Sequence, residues 1–270
     1  MTIKAAAILA RGLGTRMRRE DAAAHLDEAQ SSVADSGVKG MIPIRRPFLE
    51  YVISALADAG LEDVVLVLGP EHDAVRHHFT NDVVTTRVTV KFALQAQPLG
   101  TANAVVAASS AIGSEPFLVL NADNYYPVDA FRALASEESA GTIAFDRDAL
   151  VRDGHIDAER VRSFAVLEVS EDDMLRGIIE KPDAAFDLSS PAARWVGMNC
   201  WAVTPAIVDA CARVPKSARG EYELPEAVGL ALREGVPVRA VRMAASVLDL
   251  SRRSDIAHVV ESLALVEPRL

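Results

Sequence analysis

The chain has 270 residues, half of them hydrophobic and 24% charged, enough apolar material for a sizeable core in one large domain or two small ones. A formal charge of -10 and a pI near 5.1 exclude a general nucleic-acid or anionic-membrane surface, which needs a basic field, but leave room for a small basic pocket. Cys200 and Cys211 make neither a disulfide framework nor a zinc site, and the apolar run after Lys4 is too short for a signal peptide or a bilayer span, so the cytoplasm is the expected place.

In chain order, IKAAAIL reads as a buried strand and runs straight into the glycine-bearing stretch LARGLGTRM. In PFLEYVISALADAG the residues Phe48, Leu49, Val52, Ile53 and Leu56 share one helical face, and Gly60 is placed to end the helix. DVVLVLG is the next strand, EHDAVRHHF a helix, VTVKFAL a strand, TANAVVAASSAI a helix and FLVLNAD a strand. This alternation predicts a Rossmann-like α/β fold, with a mostly parallel sheet flanked by helices on both faces. The second half is less regular. SFAVLEVS, MLRGIIE and WVGMNCWAV read as strands, Pro205–Val214 and Glu223–Glu234 as helices, PVRAVRM and SVLDL as strands, and SRRSDIAHVVESLALVE as a terminal amphipathic helix. No composition break divides the chain, so residues 1–270 are expected to form one domain with two functional lobes. The polar, alanine-rich segment 18–38 has two readings, a solvated helix and loop or a mobile flap over the glycine stretch. The histidines, His77 and His78 among them, show no ligand spacing and read as exposed helix residues.

GLGTRM lacks the third glycine of a dinucleotide fingerprint, since Met17 stands in its place, and lacks the Gly-Lys-Ser/Thr of a P-loop. A structural turn is one reading. Arg16 supports another: glycines let backbone amides approach an anion, and an arginine there adds a fixed fork of donors. Further on, KGMIPI places Lys39 before an apolar run, and LQAQPLGTANAV places Gln95, Gly100 and Thr101 between a strand and a helix. FLVLNADN puts Asp123 directly after a buried strand, at the sheet edge where open α/β folds bind ligands. GIIEKP supplies Glu180 and Lys181, RGEYELPEAV supplies Glu221 at a helix entrance, and VLDLSRRSDI supplies Asp249.

In this order LARGLGTRM, KGMIPIRRPFLEYV, QPLGTANAV, IIEKP and GEYELPEAV resemble the sugar-phosphate nucleotidylyltransferase family over nearly the whole chain, from Ile3 to about Ile256. The resemblance implies the nucleotidyltransferase fold without the C-terminal β-helix of some relatives. It implies a nucleotide-binding lobe at about 1–125 and a sugar-binding lobe at about 126–270. The implied reaction joins a nucleoside triphosphate to a sugar 1-phosphate: a phosphate oxygen attacks the α-phosphorus in line, pyrophosphate leaves, and magnesium is the cofactor. An ionised phosphate needs no serine, cysteine or histidine nucleophile. The barrier is repulsion between polyanions, so positioning and screening carry the catalysis.

The same resemblance implies that Leu9, Ala10, Gly12, Leu13, Gly14, Thr15, Gln95, Gly100 and Thr101 hold the nucleotide, with Arg16 on the departing pyrophosphate and Lys39 on phosphate. It implies Asp123 and Asp249 as magnesium ligands and Lys181 on the sugar phosphate, with Asn124, Glu180, Asn199 and Glu221 facing the sugar. The partners are then a triphosphate and a sugar 1-phosphate, with no nucleic acid and no membrane. Relatives are often oligomeric, which leaves room for a homo-oligomer.

A glutamine amide offers one donor and one acceptor, so Gln95 suits the O4/N3–H edge of uracil or thymine, and UTP or dTTP is favoured over GTP. Local alternatives stand beside several roles: Asp123 and Asp249 as helix caps, Lys181 as a surface turn lysine, Glu221 as an acid at a helix N-terminus. The chain departs from the family pattern at Arg11 (usually Gly or Ala), Ala122 (Gly), Gly40, Ser251-Arg252 (Gly-Thr) and in a longer Arg16–Lys39 spacing. These departures keep two alternatives open. One is a non-catalytic sugar-nucleotide sensor on the same scaffold. The other is transfer to a non-sugar phosphate such as phosphocholine or a polyol phosphate.

Overall fold

The computed structural model describes residues 2–21, 24–154 and 156–270. β1 (Ala5–Leu9) is a run of small and branched apolar residues, buried from Ala5 to Ile8. Beyond the glycine loop, α1 (Glu28–Ser36) is opened by a reciprocal cap: Gln30 N–H donates to Asp27 and the Gln30 side chain accepts from the Asp27 amide. Gly37, left-handed at φ 77°, closes it. A 3-10 turn at Lys39–Met41 leads to α2 (Phe48–Asp58), β2 (Asp63–Leu68), α3 (Asp73–His77), β3 (Thr89–Leu94), α4 (Thr101–Ile112) and β4 (Phe117–Asn121). The second half runs β5 (Asn124–Tyr125), α5 (Val128–Ala135), β6 (Ala140–Asp146), α6 (Arg147–Asp153), β7 (Ala165–Val169), β8 (Leu175–Glu180), β9 (Trp195–Gly197) and β10 (Trp201–Val203). It ends with α7 (Pro205–Arg213), α8 (Leu224–Arg233), β11 (Val238–Met243), β12 (Leu248–Asp249) and α9 (Asp255–Ser262).

The first four strands pair in parallel in the order β3-β2-β1-β4, so strand order reverses at β1. The loops leaving β1 and β4 diverge at that switch point and open a crevice at the carboxyl edge of the sheet. Both faces are covered. Ala6, Ile8, Leu66, Leu118 and Leu120 pack into one core with residues of α2 and α5, and Ala5, Ala7, Val65, Val67, Phe117 and Val119 into another with α4, α7 and α8. Burial on two faces is why these strands read as near-continuous apolar runs.

WVGMNCWAV, one strand by its pattern, is bent into two. β10 lies antiparallel between β4 and β6, whereas β9 stays beside β6 and takes β7 as its other neighbour. The bend is at Asn199, left-handed at φ 55°. Tyr126 Oη donates to the Met198 carbonyl at 2.6 Å and Thr142 Oγ1 to the Cys200 carbonyl at 3.0 Å, holding the kinked backbone. The sheet therefore forks beyond the carboxyl end of β4, and β9 carries the β7–β8 hairpin away from the nucleotide-side strands. β11 runs parallel along the other edge of β6, giving a ten-stranded sheet among the described residues. A separate ribbon of β5 and β12 sets Asn124 opposite Asp249. Among the described residues no helix is long and apolar enough to cross a membrane.

Among the described residues, which leave out His155, the histidine expectation is corrected in two places. His72 is buried, its Nδ1 accepting from Gly69 N–H at 3.3 Å, and the mostly buried His78 lies 2.9 Å from the buried Glu50 carboxylate.

Candidate active site

The crevice at the switch point is a cleft of about 270 Å³. Its lining collects Leu9, Ala10, Gly12, Leu13, Lys39, Gln95, Gly100, Thr101, Asp123 and Glu221 from six separate stretches of chain. Gly14, at φ 61°, turns the glycine loop so closely against Gly37 that a Cβ would run into the Gly37 backbone. Arg18 donates to the Ser36 carbonyl from Nε and Nη2, at 3.1 and 2.7 Å. Arg253 donates to the Met17 carbonyl at 3.0 Å and pairs with Asp35. The helical part of the 18–38 segment is thus docked beside the loop, and its end delivers Lys39 to the cleft. Residues 22 and 23 of that segment lie outside the described residues. Thr15 and Arg16 are exposed and do not line the cleft.

At the other wall, a Cβ on Gly100 (φ 108°) would strike the Tyr222 carbonyl. Ala102 N–H donates to that carbonyl at 2.9 Å, Tyr222 N–H to the Leu99 carbonyl at 2.8 Å, and Leu224 N–H to Thr101 Oγ1 at 2.8 Å. PLGT and GEYEL are therefore one packed unit, which is how Glu221 reaches the cleft. Gln95 is buried, and its amide nitrogen donates to the Gly100 carbonyl and Asn103 Oδ1, each at 3.0 Å. Toward a ligand it offers the Oε1 acceptor alone, not the donor–acceptor pair expected from the sequence. Arg11 is 8% exposed; Nη2 donates to the Ala96 carbonyl at 3.3 Å and to Glu71 at 3.4 Å. Its Nε and Nη1 are buried without a hydrogen-bond partner among the described residues.

Asp123 and Asp249 are brought together by the ribbon: Leu250 N–H donates to the Asp123 carbonyl at 2.8 Å. Asp249 is buried. Its Oδ1 accepts from Ser251 Oγ at 2.7 Å and Asn124 Nδ2 at 3.3 Å, and its Oδ2 from Arg160 Nη2 at 2.7 Å. Burial holds the Asp249 carboxyl above the usual carboxylate range, the Asp123 charge adds to this, and Arg160 opposes it. Asp123 Oδ2 accepts from Lys39 Nζ at 2.6 Å. Among the described residues neither carboxylate accepts a backbone N–H. Asp255 does that work, on Ser251 and Arg252 at 2.8 and 2.7 Å, so the helix-cap alternative is removed for both. Asn124 is buried and turned onto Asp249, away from the sugar-facing place the sequence reading gave it.

Two neighbouring carboxylates that repel one another, one of them desolvated, fit a hard divalent cation. Magnesium is commonly held by one or two carboxylates, with substrate phosphates and water completing the octahedron. No cage of three or more His, Cys, Asp or Glu exists among the described residues, so the remaining positions would fall to substrate and water.

Glu180 ends β8 and Lys181 follows at φ 48°, its Nζ 3.4 Å from Glu180 Oε1. Arg219 lies 3.5 Å from the same oxygen and pairs with Glu223, which also accepts from Ser217 Oγ. Burial works against the Glu223 charge, but the hydrogen bonds from Arg219 and Ser217 outweigh it and hold its carboxyl below the usual value. Glu180, Lys181 and Asn199 belong to the forked part of the sheet and lie outside the cleft lining. The Arg219–Glu223 pair was missed in the sequence, although both residues sit in the motif that gave Glu221. The missing signal is Glu223's place as the N-cap of α8, which turns it inward while Glu221 stays exposed.

The fold and the cleft define a class, an open α/β protein with a glycine loop, a lysine and two carboxylates gathered at its switch point. A family model described as nucleotidyl transferase matches residues 35–256, and the chain belongs to that family. Over 252 residues it is 27% identical to the UTP–glucose-1-phosphate uridylyltransferase of Haloferax volcanii, covering 93% of this chain and 92% of that one. Over 269 residues it is 28% identical to a glucose-1-phosphate thymidylyltransferase of Streptomyces griseus, covering 98% and 67%. A solved UTP-bound UGPase from Acinetobacter baumannii matches with a TM-score of 0.75 at 22% identity, covering 99% of this chain and 95% of that one, a likeness that speaks for the fold. The family resemblance and the mostly parallel, helix-flanked sheet expected from the sequence are borne out.

Proposed function

We propose that the chain transfers a nucleotidyl group from a nucleoside triphosphate to a sugar 1-phosphate, giving an NDP-sugar and pyrophosphate. The observation that carries this reading is the convergence of the glycine loop, Lys39, Gln95 and Asp123 on one cleft at the switch point. Two relatives named for uridylyl and thymidylyl transfer support UTP or dTTP as donor, and Gln95 Oε1 suits the N3–H of uracil or thymine.

Backbone amides of the glycine loop approach the phosphates and Lys39 screens them in the cleft, so that the attacking oxygen can near the α-phosphorus, while Arg16, exposed beside the loop and outside the cleft lining, offers positive charge to the departing pyrophosphate. Lys181 holds the sugar phosphate, and Glu180 and Glu221 accept from sugar hydroxyls. Asp123 and Asp249 would hold magnesium, which when bound supplies further charge stabilisation to the reacting phosphates. We adopt one domain, with a nucleotide lobe of about 1–125 and a sugar lobe of about 126–270, because a single sheet runs through both halves. Two free, buried cysteines support a reducing cytoplasm.

Pyrophosphate is expected only when magnesium, a triphosphate and a sugar 1-phosphate are present together. Asp123→Asn should lower kcat by about 10²- to 10³-fold, and unchanged turnover in that variant would sink the metal assignment. The Lys39–Asp123 ion pair favours a second reading, a sugar-nucleotide sensor whose metal carboxylate is blocked. Tight UDP-sugar binding without exchange of labelled pyrophosphate into UTP would support the sensor.

A further inference from the structure

We propose that Arg160 is a built-in counter-cation of the metal carboxylate Asp249, which keeps it neutralised in the free protein and, together with Lys39 on Asp123, couples divalent-cation binding to the arrival of the triphosphate. The proposal rests on the reading of Asp123 and Asp249 as the metal pair. Arg160 belongs to none of the motifs above; it stands on the 3-10 turn Ala158–Ser163. Its Nη1 donates to Asp255 Oδ1 at 2.6 Å, and its Nη2 to Asp255 Oδ2 and Asp249 Oδ2, both at 2.7 Å. Side-chain exposure is 10% for Arg160, 4% for Asp249 and 11% for Asp255, so water screens little of this pairing.

Asp255 is itself fixed by the Ser251 and Arg252 amides, and it grips the guanidinium with both oxygens. The arginine is thus presented to Asp249 by a rigid anchor. Lys39 does the same for Asp123 at 2.6 Å. Each carboxylate of the metal pair therefore carries its own cation at hydrogen-bond distance in the ligand-free protein. A divalent ion gains little Coulomb energy from carboxylates already neutralised at such short range. A triphosphate changes the balance, because it supplies anionic oxygens of its own and a new partner for Lys39. Affinity for the ion and affinity for the triphosphate are then linked, and the linkage is reciprocal.

The test is Mn²⁺ affinity of the full chain by electron paramagnetic resonance, without and with UTP. Without UTP, Arg160→Gln is expected to tighten Mn²⁺ binding by about ten-fold or more, and Arg160→Lys to leave it within about three-fold of wild type. Loss of Arg160 leaves Asp249 and Asp255 facing each other. The double variant Arg160→Gln/Asp255→Asn removes one charge of each sign, so it decides the matter if the single variant does not fold; it too should bind Mn²⁺ more tightly than wild type. Unchanged or weaker Mn²⁺ binding in the folded variants would overturn the proposal, weaker binding meaning that Arg160 orients Asp249 for the ion. Failure of the underlying reading looks different: Asp123→Asn would then leave Mn²⁺ binding in the presence of UTP untouched.

Discussion

Gly14 shows how one residue type can be dictated by its neighbour across space. It sits at φ 61° with its α-carbon against Gly37, which is itself left-handed at φ 77°. Gly14→Ala forces a Cβ into the Gly37 backbone and strains φ, and is expected to cost about 1–3 kcal/mol of stability. Urea denaturation reads that loss directly, and a midpoint equal to wild type would contradict the packing account. Most site residues at this scale were legible because each stands at a fixed place after a strand: Asp123 after β4, Gln95 after β3, the glycine loop after β1. Arg160 was not legible. Its two acceptors lie 89 and 95 residues away, and a lone arginine in a polar turn has no spacing to betray it. Asn124 was legible as a site residue, but its direction was not, because the antiparallel pairing of β5 with β12 turns it onto Asp249.

The two walls of the cleft are held by contacts between elements. Thr101 opens α4 and accepts from Leu224 N–H at the start of α8, so one hydroxyl ties the nucleotide wall to the segment carrying Glu221. Thr101→Val keeps the shape and removes the acceptor, with an expected loss of about 0.5–2 kcal/mol. It should also raise KM for the sugar 1-phosphate, and a variant with wild-type KM would show that Glu221 is placed by other means. On the opposite wall, Asp27→Ala removes the cap of α1 and should cost about 1 kcal/mol. Hydrogen exchange should quicken in α1 and the Lys39 turn and stay unchanged in α8. The parallel strands were readable because burial on both faces leaves an unbroken apolar run. β6, central to the second half, was not read: AGTIAFD opens on Ala-Gly and takes its burial from long-range pairing with β10, β9 and β11. The fork at Asn199 was hidden for the same reason, since β4 and β7, which compete for the strand, come from distant sequence.

Across the whole molecule, stability should depend on pH through His72. Burial lowers its pKa from the ordinary 6.5, the Arg11 and Arg76 charges add to this, and Glu71 opposes it. The folded protein therefore holds the ring neutral, while the unfolded chain takes a proton near the ordinary value. The stability is complete above that value and falls as pH drops through it toward the folded pKa. The urea midpoint should decline as the pH is lowered through the ordinary 6.5, and His72→Gln should flatten that decline; a parallel decline in both proteins would assign it elsewhere. The family match begins at residue 35, downstream of the glycine loop.

The most direct test of the account is a pyrophosphate-release assay crossing UTP, dTTP, GTP, CTP and ATP with a panel of sugar 1-phosphates, with and without magnesium. Release is expected only with all three components present, highest with UTP or dTTP, and lost in Asp123→Asn. Release without any sugar 1-phosphate would contradict it. So would the absence of release from every combination while the protein still binds a sugar nucleotide.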